Sequence, residues 1–178
     1  MQSDDSARFN ALIVPQLNAA YNLARYLMRD ATHAEDVVQD AYVRAFTAFG
    51  QFRGGDAKAW LLAVVRNCCL TALSKQTDDR TKFIETADLP ANAVEIDSVT
   101  PESAALNDEA SATLRRLVAD LPASMREVLV LREFEELSYR EIAVIIDAPI
   151  GTVMSRLARA RAQLDAEYRR LHLSEVRS

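Results

Sequence analysis

The chain has 178 residues, 49% of them apolar and only four of them glycine, enough for one helical domain or two small ones. A net charge of −5 argues against tight nucleic-acid binding by the isolated chain, since such binding is mostly phosphate neutralisation. No run reaches transmembrane length and the N-terminus lacks a basic-then-apolar pattern, so a soluble, cytoplasmic chain without membrane insertion is expected.

The charge is unevenly spread. Residues 1–84 carry ten basic and nine acidic groups, residues 85–109 none and seven, and residues 110–178 eleven and ten. The acidic excess therefore lies in the middle, while residues 150–170 hold five arginines against two acids. The adjacent Cys68 and Cys69 have no partner cysteine elsewhere and read as reduced helix residues, because their spacing suits neither a zinc site nor an ordinary disulfide.

In chain order, residues 6–28 have helical spacing through Phe9, Leu12, Ile13, Leu17, Ala20, Tyr21, Ala24 and Leu27. Pro15 should kink that helix or split it in two. Thr32 followed by Glu35 is a capping-box pattern that predicts a helix from there to about Phe49. Its outer face carries Asp36, Gln39, Asp40, Val43 and Thr47. That face reads either as a solvated surface with one exposed valine or as a docking surface for a basic partner helix. The stretch Gly50 to Asp56 holds three of the four glycines. Aromatic, arginine and glycine together there suit capture of an unstacked base; the alternative is a plain connecting loop with Phe52 and Trp60 in the core. Asp56 can cap the next helix, predicted over residues 57–74.

Residues 75–109 are polar and acidic, contain Pro90 and Pro101, and show no period, which predicts a flexible tether. Thr100 and Pro101 could cap a helix running through Leu114 and Val118. A helix from Pro122 to about Phe134 follows. Ser138 with Glu141 is a capping box that starts a helix at Tyr139, with Ile142, Ala143 and Ile146 on its apolar face. Pro149 must end that helix, and Asp147 tolerates a left-handed turn. A last helix is predicted from Gly151 or Thr152 to about Arg169, with Val153, Leu157, Ala160 and Leu164 as its core stripe. Its opposite side presents Gly151, Ser155, Ala158, Arg159 and Ala162, flanked by Thr152 and Met154. Small groups and one arginine suit approach to base edges in a major groove, so the pair reads as a helix-turn-helix; the alternative is an ordinary helical hairpin with a solvated basic face. Arg156 and Arg161 lie nearer the core stripe and are expected in phosphate contacts or ion pairs.

These stretches together resemble the extracytoplasmic-function class of bacterial sigma factors. The resemblance rests on Ala34–Phe46, on Phe52-Arg-Gly with Ala59-Trp-Leu and Arg66-Asn67, and on Leu121-Pro with Arg126–Arg132. It rests equally on Leu137–Ala143 and on Pro149-Ile-Gly-Thr-Val with Ser155-Arg-Leu and Arg159-Ala-Arg161. It implies an all-α chain of two small helical modules, residues 1–75 and 110–178, joined by a flexible acidic linker over 76–109. It implies that Asp36, Gln39, Asp40, Val43 and Arg44 grip the β′ clamp helices of core RNA polymerase, with the β flap as a second contact. Phe52, Arg53, Gly54, Gly55, Asp56, Lys58 and Asn67 would engage the melted −10 element. Arg132, Gly151, Thr152, Met154, Ser155 and Arg159 would face the −35 element of promoter DNA. An anti-sigma factor would hold the free protein. Met154 departs from the pattern, standing where relatives often carry Lys or Arg; it cannot donate to a guanine or phosphate, so preference there is relaxed or apolar.

Two other readings stand beside this one. A self-sufficient activator or repressor could use the same helix-turn-helix, but it would need a dimer interface or sensor domain. An enzyme or metal protein has little to draw on: His33 and His172 are the only histidines, and His33, Glu35 and Asp36 do not share a helix face. No cofactor or metal is expected.

Overall fold

The computed structural model describes residues 3–83 and 105–175. Every regular element among them is helical, and the chain divides into two compact units, one built mainly on the first four helices and the other mainly on the last four. The middle of the predicted linker, residues 84–104, lies outside the described residues, as does the predicted cap at Thr100 and Pro101.

The first unit contains α1 (Ser3–Ile13), α2 (Leu17–Met28), α3 (Ala31–Ala48) and α4 (Ala57–Phe83). Pro15 splits the predicted long helix in two through a tight 3-10 turn, Val14–Gln16, with the proline in its first turn, where its missing N–H costs nothing. Helices α2, α3 and α4 pack on one another, and α1 adds Phe9 as an aromatic hub. The fully buried Phe9 ring meets Tyr42, Phe46 and Phe49 edge-on, each at 5.1 Å between centroids.

The start of α3 differs from its sequence reading. The helix begins at Ala31, and its N-cap is Asp30 rather than Thr32; the Asp30 side chain accepts from the His33 N–H at 2.9 Å. Arg29 takes the left-handed conformation (φ 58°) that ends α2. The chain then has one extended residue before α3, and an aspartate there satisfies an otherwise unbonded N–H. The predicted helix end at Ser74 is also too early. Nothing between Lys75 and Phe83 breaks a helix, and the Thr77 hydroxyl donates to the Leu73 carbonyl one turn back at 3.0 Å. Cys68 and Cys69 are both buried in α4, and burial pushes the Cys69 thiol up to about 12.

The second unit contains α5 (Ala105–Asp120), α6 (Ala123–Leu129), α7 (Tyr139–Ile146) and α8 (Ile150–Glu175). The C-terminal helices thus begin at Ala105, earlier than residue 110. One π turn, Val130–Phe134, extends α6, with the Glu135 N–H reaching back five residues to the Val130 carbonyl. Buried Arg126 donates through Nη1 to the carbonyls of Ala119 and Leu121 (3.2 Å to the latter), satisfying the C-terminal end of α5. Ser138 and Glu141 form the predicted reciprocal capping box: Ser138 N–H to Glu141 Oε2 at 2.7 Å, and Glu141 N–H to Ser138 Oγ at 3.2 Å. Asp147 has φ 50°, the Ala148 N–H closes on the Ala143 carbonyl at 3.0 Å, and Pro149 hands the chain to α8. Helix α8 starts one residue before the predicted range and runs past Arg169 to Glu175.

The hydrogen bond from the His33 N–H holds the Asp30 carboxyl below its ordinary value of 3.8. A depressed carboxylate contributes stability above that ordinary value and loses it as pH falls through the folded one. Asp30→Ala should therefore lower stability by about 1 kcal/mol at neutral pH. The gap to wild type should close as the solution is acidified below about pH 4, read as urea midpoints across a pH series.

Candidate functional site

Helix α3 presents Asp36, Gln39, Asp40, Val43 and Arg44 on one exposed face, because buried Ala34, Val37, Ala41 and Ala45 fill the opposite stripe. Val43 is 62% exposed at its centre. Asp40 and Arg44 pair one turn apart at 3.0 Å, both in solvent. Phe46 is partly exposed on the same helix and was not singled out from sequence.

The loop before α4 is held from below. Phe49 closes a 3-10 turn by accepting from the Phe52 N–H at 2.9 Å, and the Phe52 ring stacks on Phe49 at 5.6 Å and tilts against Trp60 at 5.2 Å. Phe52 is only 8% exposed, so it corrects the expectation of a base-contacting ring. The aromatic cluster claims it, and it supports the loop while Arg53, Gly54, Gly55 and Asp56 stand in solvent. Arg8 lies over the Phe49 ring at 5.5 Å and adds a cation to this corner. Gly54 and Gly55 have φ of 95° and 99°, a conformation L side chains rarely adopt. Asp56 caps α4 through the Ala59 N–H at 2.8 Å. Lys58 is half-buried, and Asn67 is exposed about 14 Å further along the helix axis, beyond the loop itself.

In the second unit, Val153, Leu157 and Ala160 are buried, and Gly151, Met154, Ser155, Ala158 and Arg159 face solvent. The arginines of α8 divide sharply. Arg156 reaches the buried Glu127 carboxylate at 3.5 Å, and the Arg161 Nε donates to Glu133 at 3.1 Å, a bond that pushes the Arg161 pKa up. Arg169 pairs with Asp165 and Arg170 with Glu167. Of the five arginines in residues 150–170, only Arg159 lacks a carboxylate or hydrogen-bond partner among the described residues. Arg132 is turned inward: it donates to the Leu137 carbonyl at 2.8 Å and lies over the Tyr139 ring at 5.0 Å. It therefore braces the start of α7 as well as bordering the exposed face. Ile150, 39% exposed at the head of α8, was missed from sequence; its i, i+4 spacing to Met154 is the signal that could have found it. Among the described residues no group of three His, Cys, Asp or Glu could hold a metal ion, and no helix is long and apolar enough to cross a membrane.

Two family models match in order: sigma-70 region 2 over residues 12–78 and sigma-70 region 4 over residues 111–164. They define a sigma factor of the sigma-70 type, with region 2 on the first unit and region 4 on the second. The RNA polymerase sigma-H factor of Pseudomonas aeruginosa is 35% identical over 170 residues, covering 93% of this chain and 88% of its own. The ECF RNA polymerase sigma-E factor of Escherichia coli K12 is 33% identical with the same coverage. Among solved structures, the sigma factor RpoE of Bartonella quintana, in complex with the anti-sigma factor NepR, superposes with a TM-score of 0.71 at 28% identity, covering 89% of this chain and 95% of that one. The chain belongs to the extracytoplasmic-function (ECF) RNA polymerase sigma factors, the transcription initiation factors that direct RNA polymerase to promoters.

The loop geometry makes a direct claim. Gly54→Ala or Gly55→Ala should strain the loop and lower the urea midpoint by an amount equivalent to about 1–2 kcal/mol. Gly50→Ala, with ordinary φ and nothing within 4 Å of a new Cβ, should be neutral or slightly stabilising.

Proposed function

We propose that the two units divide promoter engagement between them in the cytoplasm. The α3 face of Asp36, Gln39, Asp40, Val43 and Arg44 grips the basic clamp helices of the polymerase β′ subunit, with the β flap held by the C-terminal unit. The loop of Arg53, Gly54, Gly55 and Asp56, with Lys58 and Asn67 on α4, takes the melted −10 strand. The N-terminal residues of α8 and Arg159 read the −35 element from the major groove. The protein carries no chemistry of its own: it positions DNA and stabilises local melting, and the polymerase performs the synthesis. The relative solved with NepR supports an anti-sigma partner that holds the free protein.

The observation that carries this reading is the ordered match of regions 2 and 4 to two separate helical units, each presenting an exposed polar face. An acidic surface with one apolar centre suits a basic helix. An exposed arginine without a partner among the described residues, in the third turn of a helix whose first turns present small residues, suits guanine edges and phosphates. The pairing of the other α8 arginines agrees with the weak DNA binding expected of the isolated chain from its net charge.

Transcription by core RNA polymerase on a pooled promoter library, with and without this protein, should yield new start sites preceded by a shared pair of elements. Asp40→Arg should weaken core binding about tenfold or more and leave −35 preference intact in whatever holoenzyme forms. Arg159→Ala should leave core binding unchanged and lower discrimination at one −35 position by about 1–3 kcal/mol. Equal damage to the same step by both substitutions would refute the division of labour.

A further inference from the structure

We propose that Met154 and Ile150 form an apolar reading surface that takes the 5-methyl groups of thymines in the major groove of the −35 element. The inference rests on the assignment of α8 as the −35 reader and names the chemistry of one flank of it.

Met154 is 52% exposed and Ile150 39% exposed, on the first two turns of α8. They are four residues apart, so they stand one above the other on the helix surface. The core stripe of Val153, Leu157 and Ala160 points elsewhere. At 100° per residue, Ser155 lies nearly opposite that stripe, with Gly151 and Ala158 close beside it. Met154 and Ile150 occupy one flank of this outward side. Thr152 and Arg159 occupy the other, about 140° or more around the helix from Met154. The exposed end of α8 therefore has an apolar flank and a polar flank, separated by small residues that permit close approach.

Neither Met154 nor Ile150 can donate a hydrogen bond to a base or a phosphate. The nearest helical cations, Arg156 and Arg161, are held by Glu127 and Glu133 and do not extend over this flank as free charges. Of all the groups base pairs present in the major groove, the thymine methyl is the apolar one, and side-chain apolar groups contact it directly. A flexible thioether fills an irregular contact of this kind well. The surface is continuous with the matched region 4 helix, which covers residues through 164. That continuity commits the flank to DNA over a second protein.

The test uses holoenzyme formed with the full chain, on a promoter recovered from the library experiment. Each −35 thymine, on both strands, is replaced singly by deoxyuridine, which removes only the methyl group. At one or two adjacent positions this should weaken promoter binding about fourfold, the value of one buried methyl. Met154→Ala should weaken the unmodified promoter similarly and abolish the deoxyuridine penalty, and Ile150→Ala should reduce it. Both residues are exposed, and an unchanged circular-dichroism spectrum and urea midpoint check that each variant is folded. If no deoxyuridine weakens binding, or if the penalty survives in Met154→Ala, the inference is wrong. Should Arg159→Ala still lose −35 discrimination in that case, the reader assignment of α8 stands without the methyl contact. Should Arg159→Ala and replacement of the whole −35 element both be silent, the assignment itself fails with it.

Discussion

Two adjacent charges inside the C-terminal unit hold its helices in place. Arg126 and Glu127 are both buried, and a buried charge left alone costs several kcal/mol. Each is answered by a different neighbour. Arg126 turns to the carbonyls that close α5, and Glu127 turns to Arg156 on α8. A single turn of α6 thereby ties the helix before it to α8, through a residue 29 positions later. Apolar packing between α6 and α8 would hold them close; the ion pair also fixes which residues of α8 are turned inward. The surface of α8 is thus determined by what its core-facing side must neutralise.

Much of this organisation is legible in sequence because it is local. The capping box at Ser138 and Glu141, the left-handed Asp147 and the break at Pro149 each depend on residues within a few positions of one another. They fold as read. The stripes of α3 and α8 follow from a fixed helical period in the same way. Where the sequence reading of α3's start failed, two local patterns competed: Thr32 with Glu35 resembled a box, but the left-handed Arg29 put Asp30 first in line for the free N–H groups.

Long-range partners are less legible. The helical period places Arg156 and Arg161 near the core stripe, where ion pairs are one expectation, but it does not name their partners, since Glu127 and Glu133 lie 29 and 28 residues away. Composition alone suggests a basic stripe where the folded chain has one partnerless arginine among the described residues of that stripe. Phe52 poses the same difficulty: a loop aromatic beside glycines looks available until Phe49 and Trp60 are brought against it. The end of α4 is hard to read for another reason: residues 75–83 are polar enough to resemble a tether, yet nothing among them breaks a helix.

The paired arginines also bear on how ionic conditions act on the complex. A cation already paired with a carboxylate neutralises a phosphate less fully, so it releases fewer of the counterions condensed on DNA. If all five arginines of residues 150–170 met phosphates as free charges, affinity would fall with roughly the fifth power of salt concentration from this helix alone. With four of them neutralised internally, the helix contributes a dependence closer to first power. On the proposed assignment, discrimination by this helix would then rest on short-range contacts that salt screens little. If α8 reads the −35 element as proposed, base preference there would stay nearly constant while the cell's ionic strength changes.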